Sequence, residues 1–325
     1  MENIQPLITV LTPTWNRAAY LDRVWNGLNS QTYENIEWIV CNDGSTDDTV
    51  AKLLELSAKS TFPVTIITAN IRIGKARMDN EAIQQAHGEF ILWNDSDDYL
   101  LPQAIEHLVA AWNSIPETDR VNYVGVTALC ANENGVISTK LPVVGQFDTT
   151  WNELREKFKV AGDMLNFTKS SVLKLHPFPE VDFVVPEGVV WISIGDAKVR
   201  IHPETLQIKQ YKADHCISFS GKMEYCRGRV YTIAVMESHL KHYPKKLADK
   251  LWVLITFIRY SIHGELSLRQ SIRLWGKHSS VFAFLMMMPF AYALAFKDIL
   301  QGKVRKTHRE FDAATKSVII KVETN

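Results

Sequence analysis

Ile36-Glu37-Trp38-Ile39-Val40-Cys41-Asn42-Asp43-Gly44-Ser45 decides the fold. Residues 36–41 form a short apolar run rich in β-branched and aromatic side chains, and the Asn-Asp-Gly-Ser that follows is turn chemistry that ends a strand. The same unit recurs on either side. Upstream, residues 7–12 read as a buried strand, and Leu21, Val24, Trp25 and Leu28 follow at helical spacing. Downstream, Val50, Leu53, Leu54 and Ala58 are expected on one helix face. Residues 64–68 and 90–93 are further strands, with a helix over 76–86 between them. Pro102 sits where another helix begins, with Ile105, Leu108, Val109 and Trp112 as its buried face. This alternation predicts an α/β fold, a twisted and mostly parallel sheet with helices on both sides.

After Tyr123 the pattern is mixed, and Asn132-Glu133-Asn134-Gly135 suggests a hairpin between residues 123–131 and 136–140. Beyond about Gly228 helical signals dominate. The chain therefore divides into residues 1–225, with halves at 1–115 and 116–225, and a helical region over 226–325. Residues 278–296 carry no formal charge, and Lys297, Lys303, Arg305, Lys306 and Arg309 follow directly. A spanning helix needs about 20 apolar residues, so this run is marginal, and Pro289 in its middle weakens a spanning reading. Two readings stand side by side: a buried helix pair with residues 247–262, or an interfacial anchor whose basic cluster meets anionic headgroups.

The 325 residues are 46% hydrophobic and 22% charged, an ordinary globular composition. Lys+Arg and Asp+Glu both number 36, so no global field draws nucleic acid to the chain. Cys41, Cys130, Cys216 and Cys226 lie far apart, which fits neither a zinc site nor a disulfide framework. The first residues lack a basic region followed by an apolar run, so a reducing cytoplasm is the expected compartment.

The strongest chemical signal is Asn94-Asp95-Ser96-Asp97-Asp98, directly after the strand over 90–93. Carboxylates crowded at a strand's C-terminal end repel one another unless a cation neutralises them, and all-oxygen ligation suits Mg²⁺ or Mn²⁺. Ligands of open α/β sheets bind at such strand ends. A solvated acidic turn accounts for this stretch alone equally well. Three further motifs give it context. They are Thr12-Pro13-Thr14-Trp15-Asn16-Arg17, Asn42-Asp43-Gly44-Ser45-Thr46-Asp47 and Gly74-Lys75-Ala76-Arg77-Met78-Asp79-Asn80.

In this order and spacing the motifs resemble the nucleotide-binding half of family 2 glycosyltransferases, closely over residues 5–113 and more loosely to residue 220. The resemblance implies a GT-A-type, Rossmann-like fold, a nucleotide-sugar donor (UDP expected), Mn²⁺ or Mg²⁺, and inversion at the transferred sugar. By resemblance, Asp43 accepts a hydrogen bond from uracil, Trp15 lies against the base, and Pro13 and Arg17 belong to the donor side. Asn42 departs from the family, where Asp is usual. Asp95 and Ser96 face the ribose or donor sugar. Asp97 ligates the metal together with Asp95, and Asp98 supports it from behind. Lys75 and Arg77 fall near the donor, although a solvated helix face explains both, and Asn80 matches a frequent family Asn.

The base expected to deprotonate the acceptor lies in Val184-Val185-Pro186-Glu187-Gly188-Val189-Val190-Trp191. Glu187 is an acid in an apolar stretch, and the segment resembles the family's E-D or E-G motif. A loop Glu capping a helix near Val189 is the plainer reading. Asp182 and Asp196 are the alternative bases. His215, in a run where Ser218 and Ser220 match family serines, is a candidate third metal ligand, and Gly162-Asp163 a candidate sugar contact. The expected acceptor is a lipid-linked or polysaccharide intermediate, with peripheral membrane contact through the C-terminal helices. The one marginal apolar run and the lack of a Q-x-x-R-W motif argue against a processive synthase. Two other classes remain. A nucleotidyltransferase would show a Gly-rich loop where Pro13–Arg17 stands. A catalytically inactive relative binding glycan or nucleotide would lack acids that Asp95, Asp97 and Glu187 supply.

Overall fold

The structure, a computed structural model, describes residues 5–137, 139–181, 183–210, 225–240, 246–276, 280–303 and 320–325. Its first three βα units and the strand after them follow the sequence: β1 (Ile8–Thr14), α1 (Leu21–Asn29), β2 (Ile36–Asn42), α2 (Thr49–Lys59), β3 (Val64–Ala69), α3 (Lys75–Gln85) and β4 (Phe90–Trp93). Strands β3, β2, β1 and β4 pair in parallel in that order. Their apolar runs split by strict alternation. Val10, Trp38, Val40, Phe90 and Leu92 face one core, while Leu11, Ile39, Cys41, Ile91 and Trp93 face the other. Helices α1, α2 and α4 (Ala104–Asn113) cover the first face. Ile105, Leu108, Val109 and Trp112 are buried on α4 as expected. On α2 the buried face is Thr49, Leu53, Leu56 and Ser57, while Leu54 and Ala58 are exposed. The expected phase was off by one position on the 3.6-residue turn.

Beyond β4 the sheet becomes mixed. β5 (Tyr99–Leu100), β6 (Tyr123–Asn132), β7 (Phe147–Thr150), β8 (Met164–Lys169) and β9 (Lys198–Lys209) extend it, all but the β6–β9 pair joining antiparallel. Parallel pairing is thus concentrated in the first half of the chain. The expected hairpin after Asn132 contracts to a tight turn and one bridge, Ala131 to Ile137. The Asn132 side chain accepts from the Asn134 and Val136 amides and closes that turn, and among the described residues of the second limb only Ile137 pairs. Short helices α5 (Trp151–Glu156), α6 (Ser170–Leu175) and α7 (Gly188–Ile194) cover the second face.

The C-terminal region adds α8 (Cys226–His239), α9 (Leu247–His263), α10 (Leu268–Trp275) and α11 (Val281–Leu300) around a third core of Val230, Leu254, Phe257, Ile258, Trp275, Phe284 and Ala291. Helix α11 continues through Pro289 and is long and apolar enough to cross a membrane. One stripe, Phe284, Ala291, Ala295 and Asp298, packs inward. There the buried Asp298 carboxylate accepts from Arg259 and His263 of α9. Phe282, Met286, Phe290 and Phe296 point outward. Sequence periodicity did not reveal β10 (Ile320–Thr324), which pairs antiparallel with β3 at the sheet edge. Asn325 extends that contact by accepting from the Val64 amide and donating to the Ser57 carbonyl.

Candidate active site

A cleft of about 640 Å³ opens at the C-terminal ends of β1, β2 and β4, where an open sheet presents its ligand site. Its floor comes from the turn after β2. Gly44 has φ 64°, and a Cβ there would lie 2.3 Å from the Ile71 carbonyl carbon, so only glycine lets the two backbones meet. Asn42, buried, accepts from the Ser45 amide and hydroxyl and thereby shapes this turn. The Asp43 carboxylate lines the cleft and accepts from the Ile73 amide at 2.6 Å and the Gly74 amide at 3.0 Å. Burial pushes its pKa up against these bonds and the Arg72 charge. Trp15 and Pro13 form the adjoining wall, with the Arg72 guanidinium 3.6 Å above the centre of the Trp15 ring. A planar ring faces this corner, flanked by a carboxylate and a stacked cation.

The acidic turn after β4 faces the same space, and Asp95, Ser96, Asp97 and Asp98 all line it. Lys209, from the end of β9, reaches between the carboxylates, 2.8 Å from Asp98 and 3.3 Å from Asp95. Arg17 stands 3.6 Å from Asp97. Burial works against ionisation of Asp95, yet Lys209, Lys75 and Arg17 hold it below its usual range. For Asp97, burial and the Asp95 charge push the pKa up despite Arg17. Burial carries Asp98 to about 7, even with Lys209 beside it. Lys209 remains protonated, because the two carboxylates outweigh its own burial. The clustered carboxylate oxygens, with Arg17 held off at 3.6 Å from Asp97, suit a hard divalent cation held by oxygen.

Opposite them, α7 begins at Glu187. Its backbone occupies the N-cap position, but its carboxylate makes no capping bond. It turns into the cleft instead and pairs with Lys75 at 2.7 Å. Lys75 also pairs with Asp79 at 2.8 Å, one turn along α3, and its ammonium lies 5.8 Å from the centre of the Trp93 ring. The apolar surroundings expected of Glu187 are therefore replaced by a cation. Burial, outweighing Lys75, pushes the Asp79 carboxyl to about 7. Arg77 does not line the cleft. Asn80 is also absent from its wall. Its amide donates to the Phe178 carbonyl and accepts from the Phe178 amide, clamping the segment that leads to Glu187. Asp196 accepts from Asn152 outside the cleft, whereas Gly162 and Asp163 line it. Asp182, His215, Ser218 and Ser220 lie outside the described residues.

Residues 9–159 match glycosyl transferase family 2. The matched segment is a little under half of the chain, which over that stretch is similar to this family. A Campylobacter jejuni protein, GalNAc(5)-diNAcBac-PP-undecaprenol beta-1,3-glucosyltransferase, is 27% identical over 232 residues, which are 70% of this chain and 71% of that one. Among solved structures, S. aureus TarS 1–349 in complex with UDP-GlcNAc superposes with a TM-score of 0.62 at 15% identity, covering 97% of this chain and 98% of that chain. The mannosyltransferase PcManGT from Pyrobaculum calidifontis, in complex with GDP-Man and Mn²⁺, gives 0.53 at 16% identity, covering 93% and 89%. At such identities these structures establish the shared GT-A fold.

In this glycosyltransferase the site contains residues that motif reading missed. Lys209 and Arg72 supply charge, and Asp79 completes the pairing of Lys75. Three tryptophans line the cleft beside Glu187, with Trp191 centred 6.0 Å from Trp93 and 5.5 Å from Trp151. The indole N–H groups of Trp93 and Trp151 are buried there without a hydrogen-bond partner. The convergence of residues 93, 151 and 191 is set by the fold and not by any local motif.

Proposed function

We propose that this glycosyltransferase moves a sugar from a UDP-sugar to a hydroxyl of a lipid-linked or polysaccharide acceptor, with inversion. The observation that carries this reading is the Glu187 carboxylate facing the acidic turn across one cleft, with Asp43 and Trp15 at its inner end. Asp43 takes the uracil imide hydrogen, and the base lies along Trp15 and Arg72. Asp97 and Asp95, with His215 as a further candidate, would hold Mn²⁺ or Mg²⁺, which when bound offsets charge on the diphosphate. Lys75 and Arg17 add fixed positive charge on the donor side, and the tryptophans offer apolar faces and N–H donors to sugar. Glu187 accepts the acceptor's hydroxyl proton as that oxygen bonds the anomeric carbon from the face opposite the departing UDP. The bond from the anomeric carbon to the diphosphate oxygen breaks, and UDP leaves with its electron pair.

In this reading residues 1–225 form the catalytic unit, 1–115 taking the nucleotide and 116–225 the acceptor. Residues 226–325 form the helical unit, and the outward apolar face of α11 rests peripherally on the cytoplasmic side of a membrane. A lipid-linked substrate in the name of the Campylobacter relative supports this placement. The test is nucleotide release from UDP-, GDP-, dTDP- and CMP-sugars with Mn²⁺ and candidate acceptors. The expected result is turnover of one UDP-sugar, abolished by chelator, with Glu187→Gln retaining donor binding and losing transfer. Full transfer by Glu187→Gln removes it as the base. No nucleotide binding at all favours an inactive glycan-binding relative.

A further inference from the structure

Away from the cleft, α4 and β9 bring together His107, His202 and Glu204, whose ligand atoms all lie within 4.8 Å of one another. The backbone arranges this. Across the β6–β9 ladder Thr127 pairs with Ile201 and Leu129 with Thr205, so residues 202–204 oppose the single residue Ala128. A bulge of this kind re-aims side chains. His202 and Glu204, two apart on the strand, share a face towards α4, where His107 Nδ1 lies 2.7 Å from the Glu204 carboxylate. The same carboxylate oxygen is 3.5 Å from His202 Nε2. Both ring nitrogens of His202 are buried, and apart from the long approach of Glu204 neither has a hydrogen-bond partner among the described residues. An unsatisfied buried imidazole is costly unless something binds it.

We propose that His107, His202 and Glu204 form a second metal site, for a divalent transition ion of the Zn²⁺ class. Tetrahedral Zn²⁺ with ligands about 2.0–2.1 Å away sets them roughly 3.3 Å apart, a value the 2.7 and 3.5 Å separations bracket. Two imidazoles and a carboxylate select such ions, whereas an all-carboxylate site suits Mg²⁺ or Mn²⁺. Glu204 is half-exposed, so water completes the shell from the solvent side. The ion cross-links α4 to β9. None of the three residues lines the catalytic cleft, and Lys209 lies five residues, about 17 Å of extended strand, beyond Glu204 along β9.

The test is Co²⁺ titration of the full chain in excess Mg²⁺, read by visible absorption and by Zn²⁺ displacement. A low-coordinate nitrogen-containing site gives strong visible bands, while six-coordinate oxygen ligation gives faint ones. Wild type and Asp97→Asn are expected to take up one Co²⁺ with strong bands that Zn²⁺ abolishes. His202→Ala is expected to lose them, as is His107→Gln, which changes a less buried position and guards against misfolding. Zn²⁺ affinity should weaken at least ~10-fold in each. Bands unchanged in both histidine variants, bands lost in Asp97→Asn, or no strong bands in wild type would overturn the proposal.

Discussion

Replacing Lys209 by Met removes the cation between two carboxylates and keeps the side-chain volume. At an effective dielectric of 20, the 2.8 and 3.3 Å contacts correspond to about 6 and 5 kcal/mol of attraction, before the cost of burying the charges. Breaking a buried pair costs about 3–5 kcal/mol. Asp95 is more than a third exposed and screened by solvent, so the lower end applies, about 3 kcal/mol. For a chain of this size that is a Tm fall of roughly 4–5 °C. The loss depends on pH with a definite sign. The folded-state pKa of Asp98 is already raised to about 7 and rises further without Lys209. A raised carboxyl stabilises below its unfolded pKa, and that stability is lost as pH rises through the folded one. Lys209→Met should therefore lose less at pH 6, where chiefly the Asp95 pair is broken, than at pH 8, where the Asp98 pair is lost as well. Mn²⁺ should restore more stability to the variant than to wild type, since it replaces the missing charge. Thermal melts at both pH values, with and without Mn²⁺, measure this. An equal loss at pH 6 and 8, or no preferential rescue by Mn²⁺, would refute the electrostatic account of the acidic turn.

Asn80→Ala should cost about 1–3 kcal/mol in chemical denaturation while leaving UDP affinity unchanged, because its amide holds Phe178 and not the donor. A large loss of UDP affinity in the folded variant would return Asn80 to the donor site. Wild-type stability should decline from pH 5 to pH 8 in part because Asp79, raised to about 7, must ionise in the core. Asp79→Asn should flatten that slope, and an unchanged slope would contradict the assignment. The triple variant Phe282→Ser, Phe290→Ser, Phe296→Ser removes apolar area worth about 1.5–3 kcal/mol per side chain. It should co-sediment far less with anionic vesicles while melting as wild type does, and undiminished co-sedimentation would sink the contact through α11.

What the sequence revealed depended on how locally each feature is encoded. β1, β2 and β4 were readable because their apolar runs are bounded by turn residues, and Asp43 and Asp95–Asp98 lie directly at strand ends. Lys209 was not readable, since it meets Asp95 across 114 positions through the register of β9 in the sheet. Asn80 has the expected type and spacing, yet Phe178, 98 residues on, claims its amide. Glu187 stands in an apolar local sequence, but folding turns it toward Lys75 of α3. On α2 the mistaken phase came from Leu54, an exposed apolar residue that periodicity alone takes for core. β10 alternates Ile320, Lys321, Val322, Glu323 and Thr324, a period-two pattern overshadowed by the helical region before it.

The central claim is a nucleotide site completed by a metal at the acidic turn. Calorimetric titration of UDP into wild type and Asp97→Asn, each with Mn²⁺ and with chelator, tests it most directly. The account predicts that Mn²⁺ tightens UDP binding to wild type at least ~10-fold, about 1.4 kcal/mol, and leaves Asp97→Asn unchanged. UDP binding to wild type that ignores Mn²⁺, or a metal effect of equal size in Asp97→Asn, would contradict it.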